Sequence, residues 1–234
     1  GPDVTGLTGM FSSAYYLGTA TDDRDELFGF GPGPDLPCFS PHPHLGWIAL
    51  IMNYQQTSNP AFGATYSDTT VYTKAQLQTF LTTRYGTVGA LNTAWASSYS
   101  TLGSSGTWGS GTGLLDEDGT HGWVCSNGVT LAGCTSAMQT DLNDFLYEIA
   151  KKYFSVYKTK LNFYAPDVLV FGPPVLNSDG VTRGPILQAA GEYMDIEQAQ
   201  FQQSQSGSTM QQQLDFTAQY VGDHPMVSYE ILKA

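Results

Sequence analysis

Apolar residues recur at three- and four-residue spacing through TDLNDFLYEIAKKYFSVYKTKLNFYAPD, where Leu142, Phe145, Leu146, Ile149, Tyr153, Val156, Tyr157 and Leu161 fall on one stripe. The spacing predicts a long amphipathic helix with Thr140 as its N-cap and Pro166 just past its end. The apolar run VLVFG (168–172) follows and is stopped by Gly172-Pro173-Pro174, the pattern of a short buried strand. GPILQAAGEY predicts a short helix with Pro185 near its start, and YMDIEQAQF (193–201) a second strand. STMQQQLDFTAQYVGD predicts another helix, closed by Gly222, and PMVSYE (225–230) a third strand. Helix and strand alternate through this half, which implies parallel strands joined by helical crossovers. A (β/α)8 barrel and an open doubly wound sheet both fit. No Gly-rich phosphate loop follows any strand, which weighs against a nucleotide-binding sheet.

The first half is less periodic. AYYLGTATDD reads as a strand running into acidic residues, FGFGPGPDLPCFSPHPH (28–44) as a rigid Gly/Pro loop, and LGWIALIMNY as a second apolar run. TKAQLQTFLTTRYG opens on a capping-box pattern at Thr73 and Gln76 and offers Leu77, Phe80 and Leu81 to a core. TVGALNTAW adds a short helix, a Gly/Ser/Thr-rich loop spans 97–113, and LLDEDGTHGW reads as a surface turn. With no repeat and no composition break, residues 1–234 read as one domain with long loops.

Composition narrows the function classes. The 234 residues are 41% hydrophobic, enough for a real core, yet no window approaches the roughly 18 apolar residues of a membrane span. Nine Lys+Arg against 21 Asp+Glu give a net charge of −12, which repels phosphate backbones and argues against a nucleic-acid partner. Charged residues are only 13% of the chain, and a neutral polar, aromatic composition of this kind accompanies secreted proteins that handle sugars. Cys125 and Cys134 bracket CSNGVTLAGC, a loop short enough to close as a local disulfide, with Cys38 left over. Such a bridge implies an oxidising, secreted or periplasmic location. Neither CxxC nor HxxxH occurs, so no metal site is expected.

One stretch carries a family likeness. TFLTTRYGTVGALNTAWASSY (79–99) resembles the segment after the fourth barrel strand in family 42 β-galactosidases and related glycoside hydrolases. In those proteins a helix ending in R-Y-G-T precedes A-L-N-x-A-W. FLYEIAKKYFSVYKTKLNFYAPDVLVFGP is similar to their next long helix and strand. These motifs mark scaffold, not chemistry. The resemblance implies a (β/α)8 TIM-barrel-type fold with acidic residues at the carboxyl ends of strands four and seven, where barrel enzymes keep their chemistry. HPMVSYE then corresponds to strand seven and Glu230 to the nucleophile. The family's Asn-Glu at strand four is replaced: in YYLGTATDDRDEL, Asp22-Asp23 fall at that place, Asp23 leading as acid/base with Asp22 and Asp25 behind it. A rival alignment on LGWIALIMNYQQT puts Asn53-Tyr54 there and leaves no acid. The metal-binding cysteines of some family members are also absent, ATYSD standing in their place.

The implied activity is hydrolysis of a β-linked oligo- or polysaccharide by two carboxylates, with no organic cofactor. Retaining enzymes hold the pair about 5–5.5 Å apart and inverting ones about 6.5–9.5 Å. An Asp acid/base, one methylene shorter than Glu, widens that gap unless the backbone advances. Each candidate also has a plainer reading. Glu230 can be an ordinary strand-end carboxylate, and Asp22–Glu26 a solvated turn or a calcium loop. Glu197 either reaches the same mouth as a substrate-binding residue or makes a structural hydrogen bond. Trp47, Trp123 and Tyr229 are the other substrate-binding candidates, aromatic faces being suited to sugar C–H groups; Trp95 belongs to the scaffold motif and is expected in the core. The elements supply about five strands where a barrel needs eight. The expectation is therefore a barrel incomplete at both ends, its edges covered by another chain or a further segment. The alternative function is a non-catalytic carbohydrate-binding or self-assembling structural protein on a degenerate barrel.

Overall fold

The computed structural model describes residues 29–30, 72–105, 111–116, 135–175, 184–201 and 207–231. In chain order the elements are β1 (Gly29–Phe30), α1 (Tyr72–Tyr85), α2 (Val88–Trp95), a 3-10 turn at Leu114–Asp116, α3 (Ser136–Tyr164), β2 (Leu169–Val175), α4 (Gly184–Tyr193), β3 (Ile196–Phe201), α5 (Gly207–Val221) and β4 (Met226–Ile231). Two compact units result, one from Gly1–Cys38 with Tyr147–Ala234, the other from Phe39–Leu146.

The first unit holds a four-stranded sheet in the order β1-β2-β3-β4, every pair parallel. The helix–strand alternation expected from the sequence is therefore present, and the arrangement is α/β. β2 does not stop at Gly172 but runs on through Pro173-Pro174 to Val175. Proline's fixed φ suits an extended strand, while its missing N–H breaks the ladder; the β2–β3 register shifts between Phe171 and Pro174. α4 and α5 pack so closely that a Cβ on Gly191 would meet the backbone of Val221. Leu187 and Val221 form a buried cluster there, with Phe216 packed on it. α5 ends as expected at Gly222, whose φ of +74° favours glycine.

α3 starts earlier than its apolar stripe suggests. Its cap is Thr135, not Thr140: the Thr135 hydroxyl accepts from Met138 N at 3.2 Å and donates to the Ala94 carbonyl at 2.9 Å. Thr73 likewise lies inside α1, which begins at Tyr72, so the capping box is not the start of that helix.

In the second unit, the residues of the RYGT…ALNxAW motif converge on one carboxylate. Asp141 is buried and accepts from the Arg84 guanidinium, from Tyr85 Oη at 2.5 Å and from Trp95 Nε1 at 2.7 Å. Arg84 also reaches Asp144 at 2.8 Å. Burial and the bond to Asp141 push the Tyr85 hydroxyl up to about 12. Between these residues, Gly86 takes a φ of +72° and Thr87 caps α2 through Ala90 N at 3.2 Å. Asn92 holds the exit, accepting from Tyr99 N at 2.9 Å and donating to Tyr99 O at 2.7 Å. Trp95 is buried in the core, as expected.

The sequence 114–116 is not a surface turn. Leu114, Leu115 and Asp116 are all buried, and Asp116 accepts from the Ser104 hydroxyl, Ser105 N at 2.8 Å, Ser105 Oγ at 2.9 Å and Gly113 N at 2.9 Å. Burial pushes this carboxyl up, but those donors outweigh it and bring it down to about 2. Asp116 thus ties the two limbs of the Gly/Ser loop together.

Replacing Asp141 by Leu leaves three donors, two of them on Tyr85 and Trp95, without their acceptor. The expected loss is about 1–3 kcal/mol in urea unfolding, against less than about 1 kcal/mol for Asp144→Ala, whose partner Arg84 is half-exposed.

Candidate active site

Parallel pairing places the carboxyl ends of β2, β3 and β4 on one edge of the sheet. Glu230 lies at that edge, one residue before β4 ends, in register with Gln200 of β3. The β3–β4 pairing shifts between Ala199 and Gln200, immediately before that pair. Irregularities of this kind commonly adjoin sites where a side chain must be re-aimed. Tyr229 belongs to the same strand end.

Glu197 sits lower. It pairs with Met226, the first residue of β4, so Glu230 stands about 10 Å further along the sheet, three residue steps from it. Its side chain is fully buried, and neither oxygen has a hydrogen-bond partner among the described residues. The carboxyl lies against Gly172 of β2, in the space a Cβ there would fill. Burial alone pushes this acid up to about 8. A buried carboxyl with no donor around it cannot keep a charge, so it holds its proton at neutral pH. Sequence reasoning singled out Glu197 but not its surroundings. The available signal was a Glu in a strand of mixed polarity, beside a strand whose only small residue, Gly172, precedes two prolines.

The neighbouring acid behaves in the opposite way. Asp195 Oδ2 accepts from Val170 N at 2.9 Å, Lys158 Nζ reaches Oδ1 at 3.0 Å, and Asp195 N donates to Val170 O at 2.8 Å. Burial pushes the Asp195 carboxyl up, but the Val170 N–H and Lys158 outweigh it and keep it below the usual carboxylate range. Asp195 therefore fixes where β3 enters the sheet, joined by Glu197 N donating to Pro225 O at 2.9 Å.

The residues that pair with β2 from the first half are Gly29 and Phe30. They fall between the two runs proposed for the fourth strand, YYLGTATDDRDEL and LGWIALIMNYQQT, both of which lie outside the described residues. Asp22, Asp23, Trp47, Trp123, Cys125 and Cys134 also lie outside them. Among the described residues, no three His, Cys, Asp or Glu side chains gather as metal ligands do, and no helix is long and apolar enough to cross a membrane.

No family model and no curated protein matches the chain. Several solved structures resemble part of it, two of them as follows. An exo-β-agarase shares 21% identity at a TM-score of 0.52, over 69% of this chain and 18% of the other. An agarase, AgWH50C, shares 20% at 0.51, over 78% of this chain and 20% of the other. The likeness is one of fold, and the chain spans about a fifth of either structure's length. Both are agarases, whereas the sequence motifs pointed to family 42 β-galactosidases.

The contact between Glu197 and Gly172 sets a coupled prediction. Gly172→Ala collides with the carboxyl and destabilises the chain by about 1–3 kcal/mol. In Glu197→Ala the same change at Gly172 costs much less, because the space is then open. A double-mutant cycle in urea with no coupling between the two positions contradicts the contact.

Proposed function

We propose that the chain is the later part of a (β/α)8 glycoside hydrolase barrel cleaving a β-linked polysaccharide, with Glu230 as nucleophile and Asp23 as acid/base. The observation carrying this reading is the place of Glu230 at the carboxyl edge of an all-parallel sheet, the edge at which barrel enzymes assemble their sites. The fold likeness to two agarases supports a polysaccharide, with a β-linked galactan such as agarose as the first substrate to try.

In this reading Asp23 protonates the leaving glycosidic oxygen while Glu230 attacks the anomeric carbon. Water, deprotonated by Asp23, then releases the sugar from Glu230. Asp22, beside Asp23, raises the proton affinity of its neighbour by like-charge repulsion. Trp47, Trp123 and Tyr229 are the residues proposed to stack on or bind the sugar, and extracytoplasmic location with a Cys125–Cys134 bridge accords with a polymeric substrate outside the cell. Covering of the remaining sheet edges by further barrel strands belongs to the same reading.

The test is reducing-sugar release from agarose and a panel of plant and algal β-glycans. Glu230→Gln is expected to abolish turnover with folding intact, and Asp23→Asn to lower it by about 10²–10⁴-fold. Full activity in Glu230→Gln contradicts the assignment. Saturable sugar binding without hydrolysis of any substrate favours a carbohydrate-binding protein instead.

A further inference from the structure

β2 loses its ladder where it leaves Gly172. Pro173 and Pro174 carry no N–H to donate, and the register with β3 slips across them. Two consecutive residues of β3 grip Gly172 at that point. The Gln198 side-chain amide donates to the Gly172 carbonyl at 2.8 Å in a buried setting, and the Glu197 carboxyl occupies the space against the α-carbon left free by the absence of a side chain. We infer that Glu197, in its protonated form, is a positioning residue that pins β3 to β2 at Gly172 and so sets the alkaline limit of the activity at the strand ends. The link to activity rests on the reading of Glu230 given above; the pin itself does not.

The grip works only while Glu197 is uncharged. β2 has no ionisable side chain; α4 brings Glu192 and Tyr193, α5 Asp215 and Tyr220, β4 Tyr229 and Glu230, and the turn before β4 Asp223 and His224. Asp195, two residues away, is engaged by Lys158 and Val170. None of these is bonded to Glu197. Loss of the proton puts a bare carboxylate in a buried contact with Gly172. Either water enters or β3 moves off β2, because no described residue donates to either Glu197 oxygen. Gln200, which keeps register with Glu230, lies three residues further along the same strand, so displacement of β3 shifts the backbone that lines the reacting edge. A protonated acid of raised pKa lends its stability fully below the unfolded value of 4.5, and that stability drains away as pH climbs toward about 8.

Two readouts test this in the chain as it stands: rates of β-glycan hydrolysis, and amide exchange at Val170 and Ile196, each followed from about pH 6 to about pH 9.5. In the wild type, activity and protection are expected to fall together, activity about tenfold per pH unit beyond the midpoint. Glu197→Gln and Glu197→Met, neutral at every pH, are expected to keep both. An unchanged alkaline fall in a folded neutral variant, or wild-type protection constant to the top of the range, overturns the inference. Should the chain hydrolyse nothing, the Glu230 reading fails while the exchange data still decide the pin. Should neither variant fold, a ¹³C titration of the wild-type Glu197 carboxyl decides it: a midpoint near 4.5 overturns the inference, and one several units higher sustains it.

Discussion

Parallel pairing is the constraint from which the rest of the sheet follows. Strands that run the same way finish on the same side, and each return needs a helix to carry the chain back. α4 and α5 are those helices, held at van der Waals contact by Gly191. The pairing is weakest where β2 reaches its two prolines. There the fold relies on side chains, Gln198 through a hydrogen bond and Glu197 through a neutral carboxyl set against glycine. Asp195 secures the same strand from below by holding the amide of Val170. Three polar or acidic residues at the start of β3, Asp195, Glu197 and Gln198, thus take on work usually left to backbone ladders.

The second unit depends on a different device. Asp141 draws the end of α1, the end of α2 and the beginning of α3 onto one buried carboxylate. The spelling RYGT…ALNxAW is the outward form of that arrangement: Arg84, Tyr85 and Trp95 donate, Gly86 turns, Thr87 and Asn92 cap. The motif earns its recognisability from folding, not from substrate, which is why a likeness in this stretch identifies scaffold without identifying a reaction.

Much of the fold was legible where one face of a helix meets one core. The stripe from Leu142 to Leu161, the start of α4 beside Pro185 and the stop of α5 at Gly222 all followed from spacing and from proline and glycine geometry. The misreadings share a cause, which is tertiary partners distant in sequence. Thr135 caps α3 because it also bonds Ala94, and nothing local marks it above Thr140. Asp116 looked solvated because most of its donors, on Ser104 and Ser105, lie eleven or twelve residues earlier. β2 outran its prolines because extended backbone tolerates them at a ladder break. The position of Glu230 at a strand end was readable from PMVSYE alone; the sealed state of Glu197 was not, since it depends on a glycine in the neighbouring strand.

The central claim is that Glu230 and the Asp22–Asp23 pair meet at one mouth. A crystal structure of the chain measures it most directly, through the separation between the Glu230 carboxyl and the nearer of those two aspartates. The account predicts a gap within the glycosidase range of about 5–9.5 Å. Carboxyl groups more than about 10 Å apart contradict a two-carboxylate mechanism in this protein.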